Sequence, residues 1–198
     1  AAARALDLAR SAGPDDLFLV LLSGGASALW TAPVDGVSFE SKQALTRALL
    51  RSGARISEIN TVRRHLSRIK GGKLAAAAHP ARLVTLAISD VPGDPTTIAD
   101  AGAVLARYSI TPPPEIVAAL ADPANETLKP GAAELASARY ELVAAPMASL
   151  EAAAALARRA GFQVEMLGDA LEGEARTLAR SHAAMALAAK AKGRRLAI

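Results

Sequence analysis

Apolar runs and helical stripes alternate along this chain. Leu17-Phe18-Leu19-Val20-Leu21-Leu22 is an unbroken apolar run between Asp15-Asp16 and Ser23-Gly24-Gly25. Continuous rather than alternating, it predicts a strand buried on both faces, as in parallel sheets. Further strand-like runs follow at 83–88, 141–145, 163–167 and 195–198. Apolar residues recur at helical spacing over 41–52, 57–69, 98–108, 149–160 and 172–192, with a short helix expected over 115–120. The opening AAARALDLARSAG reads as an amphipathic helix closed by Gly13. Gly53, Gly161 and Gly193 stand just past three helices, where a left-handed C-terminal cap favours glycine. Strands alternating with helices predict an α/β fold, a Rossmann-like three-layer sandwich with a mainly parallel sheet and right-handed crossovers. Pro112 to Pro130 is the irregular stretch.

Composition narrows this picture. With 198 residues, 52% of them hydrophobic, the chain can bury a full core as one domain. Only 3% are aromatic, so that core is Ala, Leu, Val and Ile. The absence of cysteine excludes disulfides, thiolate metal sites and Cys nucleophiles, and suits a reducing cytoplasm. No run reaches the roughly 18 apolar residues of a membrane span, so no membrane partner is expected. The basic pI of about 9.8 raises nucleic acid as a partner, but the few aromatics are scattered rather than interleaved with basic residues, which argues against it.

The charge is concentrated. RISEINTVRRHLSRIKGGKL, residues 55–74, holds six Lys/Arg against one acid, Glu58; it is +5 in a chain of net +4. Such a segment is often a solvated face. Here Ile59, Val62, Leu66 and Ile69 recur at helical spacing and should bury one side. Asn60, Arg63 and Ser67 then share one strip, with His65 at an edge and Lys70 beyond. The following Gly71-Gly72 is backbone that a ligand can approach closely. Together these point to a small anion, phosphate or carboxylate.

Three turns are expected to leave strands at the carboxyl edge, where ligands bind in such sheets. Ser23-Gly24-Gly25-Ala26-Ser27-Ala28 permits a tight turn into a helix whose free N–H groups, with the Ser23 and Ser27 hydroxyls, can hold an oxyanion. It matches neither the P-loop nor the dinucleotide fingerprint. Ser89-Asp90-Val91-Pro92-Gly93-Asp94 carries carboxylates that can hold Mg²⁺ or accept a hydroxyl proton, although an Asp turn or helix N-cap explains them equally well. The acids of 168–174 are better read as complementing a helix dipole. No two histidines stand at metal-ligand spacing.

LLSGGASAL, LLRSGARISEINTVRRHLSRIKGGKLA and AISDVPGD, in that order, resemble the N-terminal domain of the glycerate 2-kinases, whose members carry a C-terminal MOFRL domain and are in some cases labelled hydroxypyruvate reductase. The resemblance implies ATP- and Mg²⁺-dependent phosphorylation of D-glycerate at its 2-hydroxyl. Ser23, Gly24, Gly25 and Ser27 would form the oxyanion turn. Arg63, His65 and Lys70, with Asn60, Gly71 and Gly72, would receive the glycerate carboxylate or the transferring phosphate. Asp90 and Asp94 would organise the metal or polarise the hydroxyl. It also implies that 1–198 is one incomplete α/β domain. A Lys-bearing active-site segment belongs upstream, the MOFRL domain downstream as a partner surface, and a loop of Ile-Ala-Ser-Gly-Pro type between Asp94 and Pro95. Homo-oligomerisation is compatible with all of this. The alternatives are an NAD(P)H-dependent hydroxypyruvate reductase, a module that binds an organic acid or sugar phosphate without turnover, and a sugar-phosphate isomerase, for which no base is identifiable.

Overall fold

The computed structural model describes residues 1–88, 96–169, 171 and 173–198, the side chains of Ala26 and Ser27 excepted. The chain divides into two units, Ala1–Glu141 and Leu142–Ile198.

The first unit begins with α1 (Ala2–Ser11), β1 (Leu17–Leu22), α2 (Ala26–Leu29), α3 (Phe39–Arg51), α4 (Ile56–His65), α5 (Lys73–Ala78) and β2 (Arg82–Ile88). After it come α6 (Ile98–Arg107), α7 (Pro114–Ala121) and the start of β3 (Ala138–Ala144). The sheet order is β1-β2-β3. β1 and β2 pair in parallel, from Leu17 opposite Arg82 to Leu22 opposite Ala87. The α/β class and parallel pairing are therefore those expected from the pattern. Local chemistry sets the helix ends. Ser38 caps α3 by accepting from the Ser41 N–H at 3.0 Å. Thr97 and Asp100 form a reciprocal capping box at α6. Pro114 supplies the first turn of α7. Gly53, Gly161 and Gly193 all take positive φ, at 77°, 81° and 66°.

Two cores result. One packs Leu6 and Ala9 of α1 with Leu74 and Ala78 of α5 against Val20 and Leu83 of the sheet. The other is helical, uniting Leu45 and Leu49 of α3, Ile59 and Val62 of α4, Val104 and Leu105 of α6, and Ile116 of α7.

Two expectations need correction. β1 is not buried on both faces: Leu17, Leu19 and Leu21 are exposed at 52%, 51% and 69%, whereas Val20 is buried. The α1–α5 core covers only the Val20 side. Nor does the 57–69 helix run its expected length. α4 ends at His65, and Ser67 forms an isolated bridge to Pro33 while the Arg68 N–H donates to the Ala32 carbonyl at 2.9 Å. The physical reason is that Leu66 belongs to the helical core and Ile69 to the sheet core, so the chain leaves the helix to pass from one to the other.

The second unit contains α8 (Pro146–Arg159), β4 (Gln163–Val164), α9 (Ala175–Ala191) and β5 (Leu196–Ala197). β4 and β5 pair in parallel, and both are shorter than their apolar runs. Glu174 caps α9 by accepting from the Thr177 N–H at 2.9 Å, the structural role expected of an acid there. No helix among the described residues is long and apolar enough to cross a membrane.

Candidate anion-binding site

A cavity of about 630 Å³ opens in the first unit, at the C-terminal end of β1. Its apolar floor includes Val20, Leu22, Leu83 and Ile69, and its polar wall includes Ser23, Gly24, Gly25, Asn60, Arg63, Arg64, Lys70, Gly71 and Gly72, with Thr85, Arg139 and Tyr140 also lining it. The fold thus brings together the strand-to-helix turn and the cationic segment, which lie far apart in sequence. Gly25 takes φ 84°, as a tight turn requires. Asn60 and Arg63 are successive on one strip of α4, and the Arg63 Nη1 donates to Asn60 Oδ1 at 3.3 Å. Burial pulls the Arg63 guanidinium below its usual value without discharging it. Ser67, expected on the same strip, instead turns inward. It is fully buried, and its hydroxyl accepts from the N–H groups of Ile69 and Lys70, each at 3.3 Å. That turn aims Lys70 into the cavity wall.

Of the other expected residues, Ser27 opens α2 but has no described side chain. Asp90, Asp94 and the Asp94–Pro95 junction lie outside the described residues. Among the described residues no cluster of three or more His, Asp or Glu could hold a metal ion. His65 does not join the cavity. It is fully buried, with Nδ1 2.8 Å from the Thr61 carbonyl and Nε2 2.9 Å from Glu126 Oε1.

Gly71 and Gly72 line the cavity, but their first role is different. They take φ 63° and 83°, and Thr127, Leu128 and Leu135 pack on them. A Cβ on Gly71 would lie 2.5 Å from Thr127 Cγ2, and the Leu128 N–H donates to the Gly71 carbonyl at 2.9 Å.

Lys42 does not line the cavity, but its burial next to the cationic segment was missed from the sequence pattern. On α3 it occupies a core position in the Lys42, Leu45, Leu49 stripe, only 5% exposed, and its ammonium donates to the Leu66 carbonyl at 2.5 Å. A charged residue on an apolar stripe was the available signal. Burial first, then the charges of Lys70, Arg63 and Lys73, bring its pKa down to about 7. Lys73 is brought to about 8 by burial, against the opposing pull of Glu126 and Asp122. The charges of Lys70 and Arg63, which line the cavity, thus reach Lys42 behind them in the fold, and a positive field of this kind favours an anion.

The sign of the Lys42 effect on stability follows. Between pH 7 and its ordinary value of 10.5 the unfolded chain binds the Lys42 proton and the folded chain does not, so stability rises with pH across that window. Wild type should gain on Lys42→Met between pH 7 and 10 by an amount on the order of a few kcal/mol, read from denaturant midpoints. A difference that does not change with pH would show that the ammonium is not desolvated.

Fold and site define an α/β domain with a cavity at the carboxyl end of a parallel strand, its wall carrying Arg63, Arg64 and Lys70. The chain belongs to the family described as "Domain of unknown function (DUF4147)", whose model matches residues 1–121. It is 53% identical over 194 residues to a putative hydroxypyruvate reductase of Agrobacterium vitis, covering 91% of this chain and 43% of the relative. It is 38% identical over 206 residues to a D-glycerate 2-kinase of Thermotoga maritima, covering 98% of this chain and 48% of the relative. A crystal structure of glycerate kinase from Thermotoga maritima superposes with TM-score 0.72 at 37% identity, over 98% of this chain and 49% of that one. The chain spans about half the length of these relatives.

Proposed function

We propose that the complete protein is a glycerate kinase that transfers the γ-phosphoryl of ATP, with Mg²⁺, to the 2-hydroxyl of D-glycerate. The observation that carries this reading is the convergence of Ser23-Gly24-Gly25 with Asn60, Arg63 and Lys70 around one cavity. Its relatives named glycerate 2-kinase support the same substrate class.

Phosphoryl transfer consists mostly of positioning and charge stabilisation, so a site for it needs cations and backbone donors. Mg-ATP supplies the phosphoryl group and its electrophilic phosphorus. The residues of this chain do the rest. The Ser23–Gly25 turn offers N–H groups and a hydroxyl to phosphate oxygens. Arg63, with its planar fork, suits a carboxylate or phosphate, and Lys70 adds a point charge beside it. The apolar floor of Val20, Leu22 and Leu83 excludes water from one side. The cation wall fits a polyphosphate. Asp90 and Asp94 remain the candidates for metal binding or for taking the hydroxyl proton.

The reductase reading draws on the relatives named hydroxypyruvate reductase. It requires a nicotinamide site, and the β1 turn is Ser-Gly-Gly-Ala-Ser rather than Gly-x-Gly-x-x-Gly. Asp90→Asn separates a kinase from a binding module. Turnover by the complete protein should fall at least 100-fold with the melting temperature unchanged. Undiminished turnover would remove Asp90 from the chemistry. The ³¹P spectrum of the product distinguishes the 2-phosphate from the 3-phosphate.

A further inference from the structure

We propose that Glu126 is a positioning residue for this site, the hub of a brace, Asn125–Lys129, that holds two segments lining the cavity, α4 and the Lys70–Lys73 turn, in register with each other and with the start of α6. The proposal deepens the kinase reading and rests on it for the identity of the substrate. Glu126 touches no cavity wall itself; it lies in the irregular stretch after α7.

The three attachments are separate. The first is to α4, which carries Asn60 and Arg63. His65 closes that helix, and its Nε2 lies 2.9 Å from Glu126 Oε1. Nδ1 faces the Thr61 carbonyl, so both ring nitrogens face oxygen acceptors. The second is to the start of α6. The Ile98 N–H donates to Glu126 Oε2 at 3.0 Å, and the Thr96 carbonyl accepts from both Thr127 Oγ1, at 2.9 Å, and the Lys129 ammonium. The third is to the Lys70–Lys73 turn. The Gly71 carbonyl accepts from the Leu128 N–H, and the Lys73 ammonium donates to the Asn125 carbonyl at 2.8 Å.

One carboxylate thus serves four donors: the Ile98 and Thr127 N–H groups, the Lys129 ammonium and the His65 ring. Burial alone would raise its pKa, but these four outweigh it and hold the group at about 2. An amide of the same shape cannot replace it. One of its two ends is an NH₂ group, which would face a donor, either the Ile98 N–H or the Thr127 N–H and Lys129 ammonium. A shift of about 1 Å in a site of this kind can cost about 100-fold in rate.

The test is Glu126→Gln in the complete protein, measured below its melting temperature. The readouts are kcat and KM with D-glycerate and Mg-ATP, and the Kd for inorganic phosphate by titration calorimetry. The brace predicts a fall in kcat/KM of at least tenfold and a phosphate Kd weakened at least tenfold. A merely structural Glu126 would lower the melting temperature and leave both site readouts within twofold, which overturns the proposal. If wild type shows no glycerate-dependent turnover, the kinase reading fails, and the phosphate Kd alone then decides the brace. Wild type that neither turns over nor binds phosphate overturns both. Should Glu126→Gln not fold, Lys129→Met, which removes one of the two donors to the Thr96 carbonyl but keeps the His65–Glu126 pair, is expected to weaken the same two readouts at least threefold. Unchanged values in that variant also overturn the brace.

Discussion

Replacement of Gly71 by alanine is expected to destabilise the fold by about 2–5 kcal/mol, through two effects that add. Gly71 takes φ 63°, in the left-handed region, where an L side chain costs about 1–2 kcal/mol. The new Cβ would also lie 2.5 Å from Thr127 Cγ2 and 2.9 Å from Thr127 Cβ. Thr127 has little room to yield: it is 7% exposed, and its hydroxyl is held by the Thr96 carbonyl. Overpacking of this kind costs about 1–3 kcal/mol more. Gly53→Ala is the internal control. It has φ 77° but nothing within 4 Å of the added carbon, so only the backbone cost of about 1–2 kcal/mol remains. Denaturant midpoints of the two variants give the comparison. Equal losses would mean that Thr127 does not press on Gly71.

The second large effect is on chemistry. Arg63→Met should lower kcat/KM for D-glycerate by about 100- to 1,000-fold, the loss typical when one charge-stabilising donor is removed from a preorganised site. Arg63 is half-buried and lies beside Asn60 in the cavity wall, so its guanidinium is already positioned before a ligand arrives. Arg63→Lys keeps the charge and loses the fork, and an intermediate rate is expected. Neither variant should shift the melting temperature by more than a few degrees, because Met retains much of the packing of the aliphatic stem. Full activity in Arg63→Met would place the anion elsewhere along the wall.

What was legible beforehand divides along physical lines. β1, β2 and most helices were readable because burial writes its period directly into the sequence. The over-long fourth helix shows where period misleads. Ile59, Val62, Leu66 and Ile69 keep helical spacing, yet Ile69 is buried in a different core from the other three. Spacing records that a residue is buried but not against what. The β1 run misled similarly, since a continuous apolar strand predicts two covered faces and only one is covered. At the site, Ser23, Gly24, Gly25, Asn60, Arg63 and Lys70 were readable as residue types that suit an anion, and the fold brings them together. Gly71 and Gly72 were readable as special backbone, but the group that approaches them most closely is Thr127 rather than a ligand. Glu126 gave no signal. It sits in an aperiodic, proline-rich stretch, and its partners His65 and Ile98 are 61 and 28 residues away.

The central claim is that this cavity serves phosphoryl transfer to glycerate, and ADP release by the complete protein tests it most directly. With Mg-ATP present, D-glycerate should raise ADP release at least 100-fold over the rate without it. Release that is indifferent to glycerate, from folded protein that instead oxidises NADH with hydroxypyruvate, would contradict the account and give the cavity to the reductase.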